Sequence, residues 1–379
     1  MASYELLRLL WWAVLGVLLI GVAVMDGFDL GAALLLPIVG RSDMDRRVIL
    51  NSVGPVWEGN QVWLILGAGA VFAAWPPLYA VAFSGFYLAM LLLLVALILR
   101  PVGFAFRSRV ADARWRNVWD GGLVAGGLVA SLVFGVAFGN ALLGVPFRFD
   151  DTLRMTYEGD LFGLFRPFAI LCGLISVVMI AMHGAVYLAV KTGGDIQRRA
   201  RGVAVVTAIA LAALFVLAGL WAAQLSGFVV AHAQDHSGPS NPLLKAVIRE
   251  PGALMRNYGL EPWAILAPCL GVGGALTTAA LSRFATPRPL AAFVASSAAV
   301  AGVIATAGVS LFPFLLPSSL APDAGLTVWD ASSSQTTLAI MTVATAVFLP
   351  LILAYTAWVY RVLRGPVTAA TVAADHHAY

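Results

Sequence analysis

Three carboxylates interrupt the apolar runs of this chain: Asp26 and Asp29 in Val24-Met25-Asp26-Gly27-Phe28-Asp29-Leu30-Gly31, and Glu58 in Val56-Trp57-Glu58-Gly59-Asn60-Gln61-Val62-Trp63. A carboxylate in hydrocarbon costs several kcal/mol even when water and snorkelling soften its surroundings, so by default it marks a protected interior that handles a proton, an ion or a ligand. The competing reading is structural, with the acids accepting hydrogen bonds from neighbours such as Asn60, Gln61 or Trp63 and fixing helix packing. Trp57 and Trp63 lie inside the same run and are candidates, with Asn60 and Gln61, for the lining of a functional interior.

The elements that must carry these acids are membrane helices. Hydrophobic residues make up 61% of the 379-residue chain, charged residues 11%, and the mean hydropathy is +0.90; a soluble domain has roughly 25% charged residues. Nine stretches reach the ~20 residues needed to cross a bilayer: 9–38, 50–74, 79–99, 118–143, 161–190, 203–225, 262–282, 289–312 and 335–360. The expectation is an all-α polytopic membrane protein forming a single integral-membrane domain over residues 1–379. The longest connection, from Ser226 to Glu261, is about 36 residues and too short for a separate soluble module. The first segment exceeds the apolar core of a signal peptide and carries two acids, so it is expected to be retained.

Charge sets the orientation. Sixteen Lys and Arg residues fall on the first, third, fifth and seventh connections and the C-terminal tail, against seven on the other side. By the positive-inside rule the N-terminus is outside and the C-terminus cytoplasmic. Counting from the expected span ends, Asp29 and Glu58 lie at one level, roughly 12–14 Å from the cytoplasmic face at 1.5 Å per residue. Asp26 is one turn deeper on the same helix face as Asp29, and a cytoplasmic proton entry is the natural hypothesis.

Other residues narrow the chemistry. Two isolated cysteines, Cys172 and Cys269, cannot make a disulfide framework or a metal-ligand set. His183 is the one histidine inside a span, whereas binding several haems through histidine needs several such residues. The net charge of +4 is spread over loops, so nucleic acid is not implied. Gly122/Gly126 and Gly135/Gly139 have the spacing of close helix packing. Pro76-Pro77 is read as turning the second span directly into the third, Ser332-Ser333-Ser334-Gln335 as a cap for the ninth, and Asp330 as a loop or helix-end acid.

The acidic runs, together with Asn51-Ser52-Val53-Gly54-Pro55, Phe72-Ala73-Ala74-Trp75-Pro76, Ala82-Phe83-Ser84-Gly85-Phe86-Tyr87, Arg100-Pro101-Val102-Gly103-Phe104, Trp115-Arg116-Asn117-Val118-Trp119-Asp120, Gly135-Val136-Ala137-Phe138-Gly139-Asn140, Phe312-Pro313-Phe314, Pro317-Ser318-Ser319 and Trp329-Asp330-Ala331, closely resemble subunit II of cytochrome bd-type quinol oxidases. The resemblance covers essentially the whole chain. It implies two four-helix bundles, at 1–143 and 161–312, plus a ninth helix at 335–363. It also implies a bacterial inner-membrane complex that oxidises quinol and reduces oxygen to water. Haem b and haem d are then expected in a partner, subunit I, with this chain haem-free, and a small third subunit is a further candidate partner beside lipid and quinol.

The resemblance places a proton route along the subunit interface at Glu58, where some members have aspartate. Asp29 and Asp26 would stand beside that route, and Tyr379 near its mouth. Some members hold a structural quinone in subunit II, although no residue pattern here identifies its pocket. Two alternatives stay open: a self-contained proton-coupled transporter, which should place broken helices and acids in both halves of the chain, and a purely structural assembly subunit.

Overall fold

A computed structural model describes residues 3–232, 234–284 and 289–374. Ser3 opens the first helix by accepting the Leu6 amide hydrogen at 3.2 Å, which satisfies one of the donors a helix start leaves free. Helix α1 (Tyr4–Met25) and helix α2 (Gly27–Leu34) meet at Asp26 and together make one membrane-length unit. The short α3 (Leu36–Val39) follows, and α4 (Asp43–Val53) starts at a reciprocal capping box between Ser42 and Asp45.

The expected second and third spans both divide. Gly54-Pro55 ends α4, because proline brings no amide hydrogen and its ring collides with the preceding turn, so α5 begins only at Trp57 and ends at Ala74. Pro76-Pro77 does not lead straight into the next span. Prolines are tolerated in a first helical turn, and they open a separate helix, α6 (Pro76–Gly85), bent 120° from α5. Helix α7 (Tyr87–Phe106) then runs well past the expected end at residue 99.

The remaining helices are α8 (Ala113–Leu143), α9 (Pro167–Lys191), α10 (Gly194–Ala222), α11 (Arg256–Leu260), α12 (Leu266–Arg283), α13 (Pro289–Leu311), α14 (Gln335–Val362) and α15 (Ala369–Ala374). Among the described residues eight helical units are long and apolar enough to cross a membrane, or nine if the bent α5–α6 pair counts as one, in agreement with the expected number. Ser334 caps α14 by accepting from the Thr337 amide. Three antiparallel hairpins occupy connections and were not foreseen: β1 (Phe147–Phe149) with β2 (Met155–Tyr157), β3 (Ser226–Val230) with β4 (Val247–Pro251), and β5 (Phe314–Leu316) with β6 (Leu326–Thr327).

Helix α9 is central, with 67% of its most apolar stretch buried, and α14 is peripheral, with 6%. Helices α9, α10, α12 and α13 touch in a closed ring, α1, α5, α6, α7, α8 and α2 form a second, and α14 lies against α1 and α5. Small residues allow the close approaches, as expected where lipid supplies no hydrophobic drive between helices. A Cβ on Gly31 would stand 2.2 Å from the Ile180 carbonyl oxygen of α9, and one on Gly135 would stand 2.4 Å from that of Cys172. A Cβ on Gly122 would make only an ordinary contact, 3.8 Å from the Trp119 ring, so only one of the two glycine pairs in α8 packs tightly at both positions.

Polar clamps close the two ends. At the amino-terminal end the fully buried Arg8 donates to Ser332 Oγ (2.7 Å), the His236 carbonyl (2.6 Å), and Gly238 O and Ser240 Oγ (both 3.0 Å). Asp330 is a loop acid, as expected. It pairs with Lys245 at 2.8 Å and accepts from the Thr327 amide; burial lowers the Lys245 pKa and the carboxylate works against that shift. Both clamps pin the 226–261 connection onto the start of α1 and α14.

At the opposite, arginine-rich end Arg107 donates to Asp120 and Asp43, Arg46 to Asp120, and Arg199 to Asp45. Burial opposes the Arg107 charge, yet the Asp120 and Asp43 carboxylates outweigh it and hold the guanidinium above its ordinary value.

Candidate functional site

The three acids of the opening runs occupy three different environments. Asp26 and Arg100 form a bidentate pair, Nη1 to Oδ1 at 2.7 Å and Nη2 to Oδ2 at 3.2 Å, with both side chains excluded from solvent. Arg100 was counted among the loop charges, and the structure corrects that. Six more helical residues follow it in α7, and Leu97-Ile98-Leu99 before it with Val102-Gly103-Phe104 after it was the signal that the apolar run continues through the arginine. Removing it from the loop count leaves the positive bias in place.

Asp29, one turn along α2 from Asp26, is 2% exposed. Its Oδ2 accepts from Asn60 Nδ2 at 2.8 Å, and Asn60 Oδ1 accepts in turn from the Tyr360 hydroxyl of α14 at 2.9 Å. Oδ1 has no hydrogen-bond partner among the described residues. Asn60 therefore binds the acid, as its place in the motif suggested. Tyr360, in the last turn of α14, was missed because no motif ties it to acidic runs some 300 positions earlier in the chain.

Glu58 is not in the interior with Asp29. It lies on the exposed face of α5, in that helix's first turn. The span does not start at residue 50, so the depth counted from there does not hold. Asn60, two residues further along α5, is on the buried side of the helix and reaches Asp29, whereas Glu58 points away from it. A carboxylate there also meets the partial positive charge of a helix N-terminus.

The candidate lining residues separate in the same way. Trp57 is buried and stacks on Phe104 of α7, centroids 5.5 Å apart and planes 7° apart. Trp63 packs on Gly21, where a Cβ would stand 2.4 Å from its ring, and belongs to the α1–α5 contact. Gln61 is half-buried. Tyr379 lies outside the described residues. His183 is buried, with Nε2 2.9 Å from the Val24 carbonyl and Nδ1 2.9 Å from Ser296 Oγ. The carbonyl can only accept, so Nε2 carries the proton, and the residue braces the end of α1.

Among the described residues no three His, Cys, Asp or Glu side chains converge as a metal site would require. Cys172 and Cys269 are free thiols. Near the amino-terminal end, beneath the 226–261 connection, a cavity of about 430 Å³ is lined by apolar side chains such as Phe228, Leu254 and Phe312, with His232, Gln234, His236 and Asn257 among its polar members.

Comparison with known proteins bears on this geometry. The sequence profile described as "Cytochrome bd terminal oxidase subunit II" matches residues 7–363. "Cytochrome bd-I ubiquinol oxidase subunit 2" of Escherichia coli strain K12 is 49% identical over 381 aligned positions covering all of both chains. "Cytochrome bd ubiquinol oxidase subunit 2" of Bacillus subtilis is 31% identical over 95% of this chain and 96% of its own. The solved bd oxidase of Geobacillus thermodenitrificans shares the fold, with a TM-score of 0.62 over 94% of this chain and 98% of that one at 19% identity. With a profile matched from Leu7 to Leu363 and relatives aligned end to end, the chain belongs to the cytochrome bd terminal oxidase subunit II family.

Proposed function

We propose that this chain is the haem-free subunit of a quinol oxidase that couples quinol oxidation to the reduction of oxygen to water. It scaffolds a haem-bearing subunit I, which holds haem b and haem d, and contributes to proton uptake from the cytoplasm. The observation that supports the proton role is that α5 carries an exposed acid and, two residues on, the amide that binds a buried one. Glu58 stands exposed in the first turn of a membrane-length helical pair, and two residues on Asn60 grips Asp29 inside. A carboxylate facing lipid is strongly disfavoured, so the α5 face bearing Glu58, Val62 and Ile65 is covered by the partner chain, and protons enter between the two subunits. The arginine-rich end carrying α4 and α15 is cytoplasmic by the charge bias.

The two rings of helices support the division into bundles at 1–143 and 161–312, with 335–363 as the outlying helix. The amino-terminal cavity fits a structural quinone in size and lining, since ligand pockets run from roughly 300 to 1,000 Å³ and combine apolar walls with a few polar groups. His232 would meet its head group, since the Asn257 amide is spent on the Val309 and Phe312 carbonyls and Gln234 on Asp330 and Thr327. Bound there, a quinone would supply an apolar filler beneath the 226–261 connection.

Purification through a tag on this chain tests the assignment. Recovery of a larger haem-bearing chain with d-type absorbance and quinol-dependent oxygen consumption is expected. Solute transport against a gradient by this chain alone would contradict it.

A further inference from the structure

Two arginines on the connections at the amino-terminal end carry charge that no carboxylate answers. Arg166, the residue before α9, donates through Nη1 to the Gly144 carbonyl at 2.8 Å, and Arg249 of β4 donates through Nη2 to the Ser319 carbonyl at 2.7 Å. Neither forms an ion pair among the described residues. Acids on the same connections are engaged elsewhere. Glu158 pairs with Arg148 at 2.9 Å, Glu250 faces Arg256 at 3.8 Å, and Asp160 and Asp323 accept from the Gly163 and Val247 amides, both at 2.6 Å.

Two routes through the fold bring these guanidiniums together. Gly144, which binds Arg166, also meets the Phe228 ring, 2.7 Å from where a Cβ on it would stand. Arg249 is the cross-strand partner of Phe228 and lies over that same ring, 4.9 Å from its centroid. On the second route Val145, next to Gly144, accepts from the Ser319 amide at 2.9 Å, and the Ser319 carbonyl binds Arg249. Arg166 feels the proximity: burial first, and then the like charge of Arg249, lower its pKa. A guanidinium has five N–H donors, so one hydrogen bond apiece leaves most of both forks free. That fork matches the oxygens of a phosphate.

The setting selects among phosphates. Arg166 stands where α9 enters its membrane-length run, Phe162 and Phe165 on the preceding turn are 81% and 45% exposed, and Ile170 is exposed one turn into the helix. Aromatic rings at the end of a membrane helix sit at the level of lipid headgroups. Two positive charges without an acid favour a headgroup of net negative charge over a zwitterionic one, whose ammonium they repel.

We propose that Arg166 and Arg249 together bind the phosphate of an anionic phospholipid, which clips the 144–166 connection to the 226–261 connection. Phe228 also lines the cavity of about 430 Å³, so the bound lipid braces one wall of it. The site is built from this chain's own residues and depends on neither the proton nor the quinone reading.

The test uses the purified intact complex, stripped of lipid in detergent and then supplied with phosphatidylglycerol, phosphatidylcholine or inorganic phosphate at equal concentration. Native mass spectrometry counts the molecules retained. Phosphatidylglycerol should be held and the other two should not. Arg166→Gln and Arg249→Gln should each weaken its retention roughly tenfold, as expected for losing a hydrogen bond between charged groups, and the double variant should hold it no better than phosphatidylcholine. Arg154→Gln removes an exposed charge from the same connection and should behave as wild type. Haem absorbance and quinol-dependent oxygen consumption confirm that each variant is assembled.

Equal retention of the two lipids, or a loss in Arg154→Gln as large as in Arg166→Gln, would reduce the effect to general surface charge and overturn the site. Inorganic phosphate held as firmly as phosphatidylglycerol would overturn the lipid as its source. Should the glutamine variants fail to assemble, a cryo-electron map of the wild-type complex in phosphatidylglycerol nanodiscs decides. Headgroup density between the two guanidiniums supports the proposal, and a map that resolves other lipids but none here contradicts it.

Discussion

Asp26→Asn is expected to be worse for the protein than its small change in shape suggests. It strips the charge partner from an arginine with no exposure, and breaking a fully buried pair costs about 3–5 kcal/mol because the remaining charge is stranded. A lower thermal transition and reduced haem retention in the purified complex would register this, and Asp26→Leu combined with Arg100→Leu should recover part of the loss. A single variant as stable as wild type would mean that Arg100 finds another partner. At this scale the sequence was readable in residue type but not in environment. Three acids in apolar runs were conspicuous, yet their division into a paired, a half-satisfied and an exposed carboxylate depended on α7 continuing through Arg100 and on Tyr360 arriving from some 300 positions away.

Elements were legible where periodicity and composition were strong and obscure where proline punctuates. The long runs that became α8, α9, α12, α13 and α14 lie close to their expected bounds, whereas α10 begins nine residues before the expected 203. The second and third did not hold, because Gly54-Pro55 and Pro76-Pro77 divide apolar stretches whose hydropathy barely changes across the break.

Two outcomes follow at this scale. Gly31→Leu should prevent α2 from meeting α9, since even a Cβ there collides with backbone. Overpacking typically costs about 1–3 kcal/mol, and assembled complex should fall accordingly, while the same change at the open Gly202 should be tolerated. Asp45 ties the start of α4 to α10 through Arg199. Burial would raise its pKa, but the Ser42 hydroxyl, Arg199 and the backbone amides prevail and hold it below the ordinary carboxylate value. Its contribution is therefore complete above the unfolded value of about 4 and is lost as pH falls through the lower folded value. Asp45→Ala should cost about 1 kcal/mol at neutral pH, and the gap in melting temperature from wild type should close on acidification. A gap that persists far into the acid range would contradict the assignment.

For the whole molecule, the chain reads as one half of something larger. Its interior is complete around α9, but α14 and the Glu58 face of α5 are covered by little of the chain itself. Fold class was legible in composition, and family in scattered motifs spread over the full length. The hairpins and the buried Arg8 clamp were not, because they depend on long-range pairing between connections that carry no periodic signal.

Charge uptake by the intact complex in liposomes during oxygen reduction tests most directly whether protons reach the oxidase partner past Glu58. With haem spectra unchanged, Glu58→Gln should slow proton uptake and oxygen reduction together by an order of magnitude or so, about 1.4 kcal/mol in barrier, while Glu58→Asp keeps most of the rate. Wild-type uptake in Glu58→Gln would contradict it.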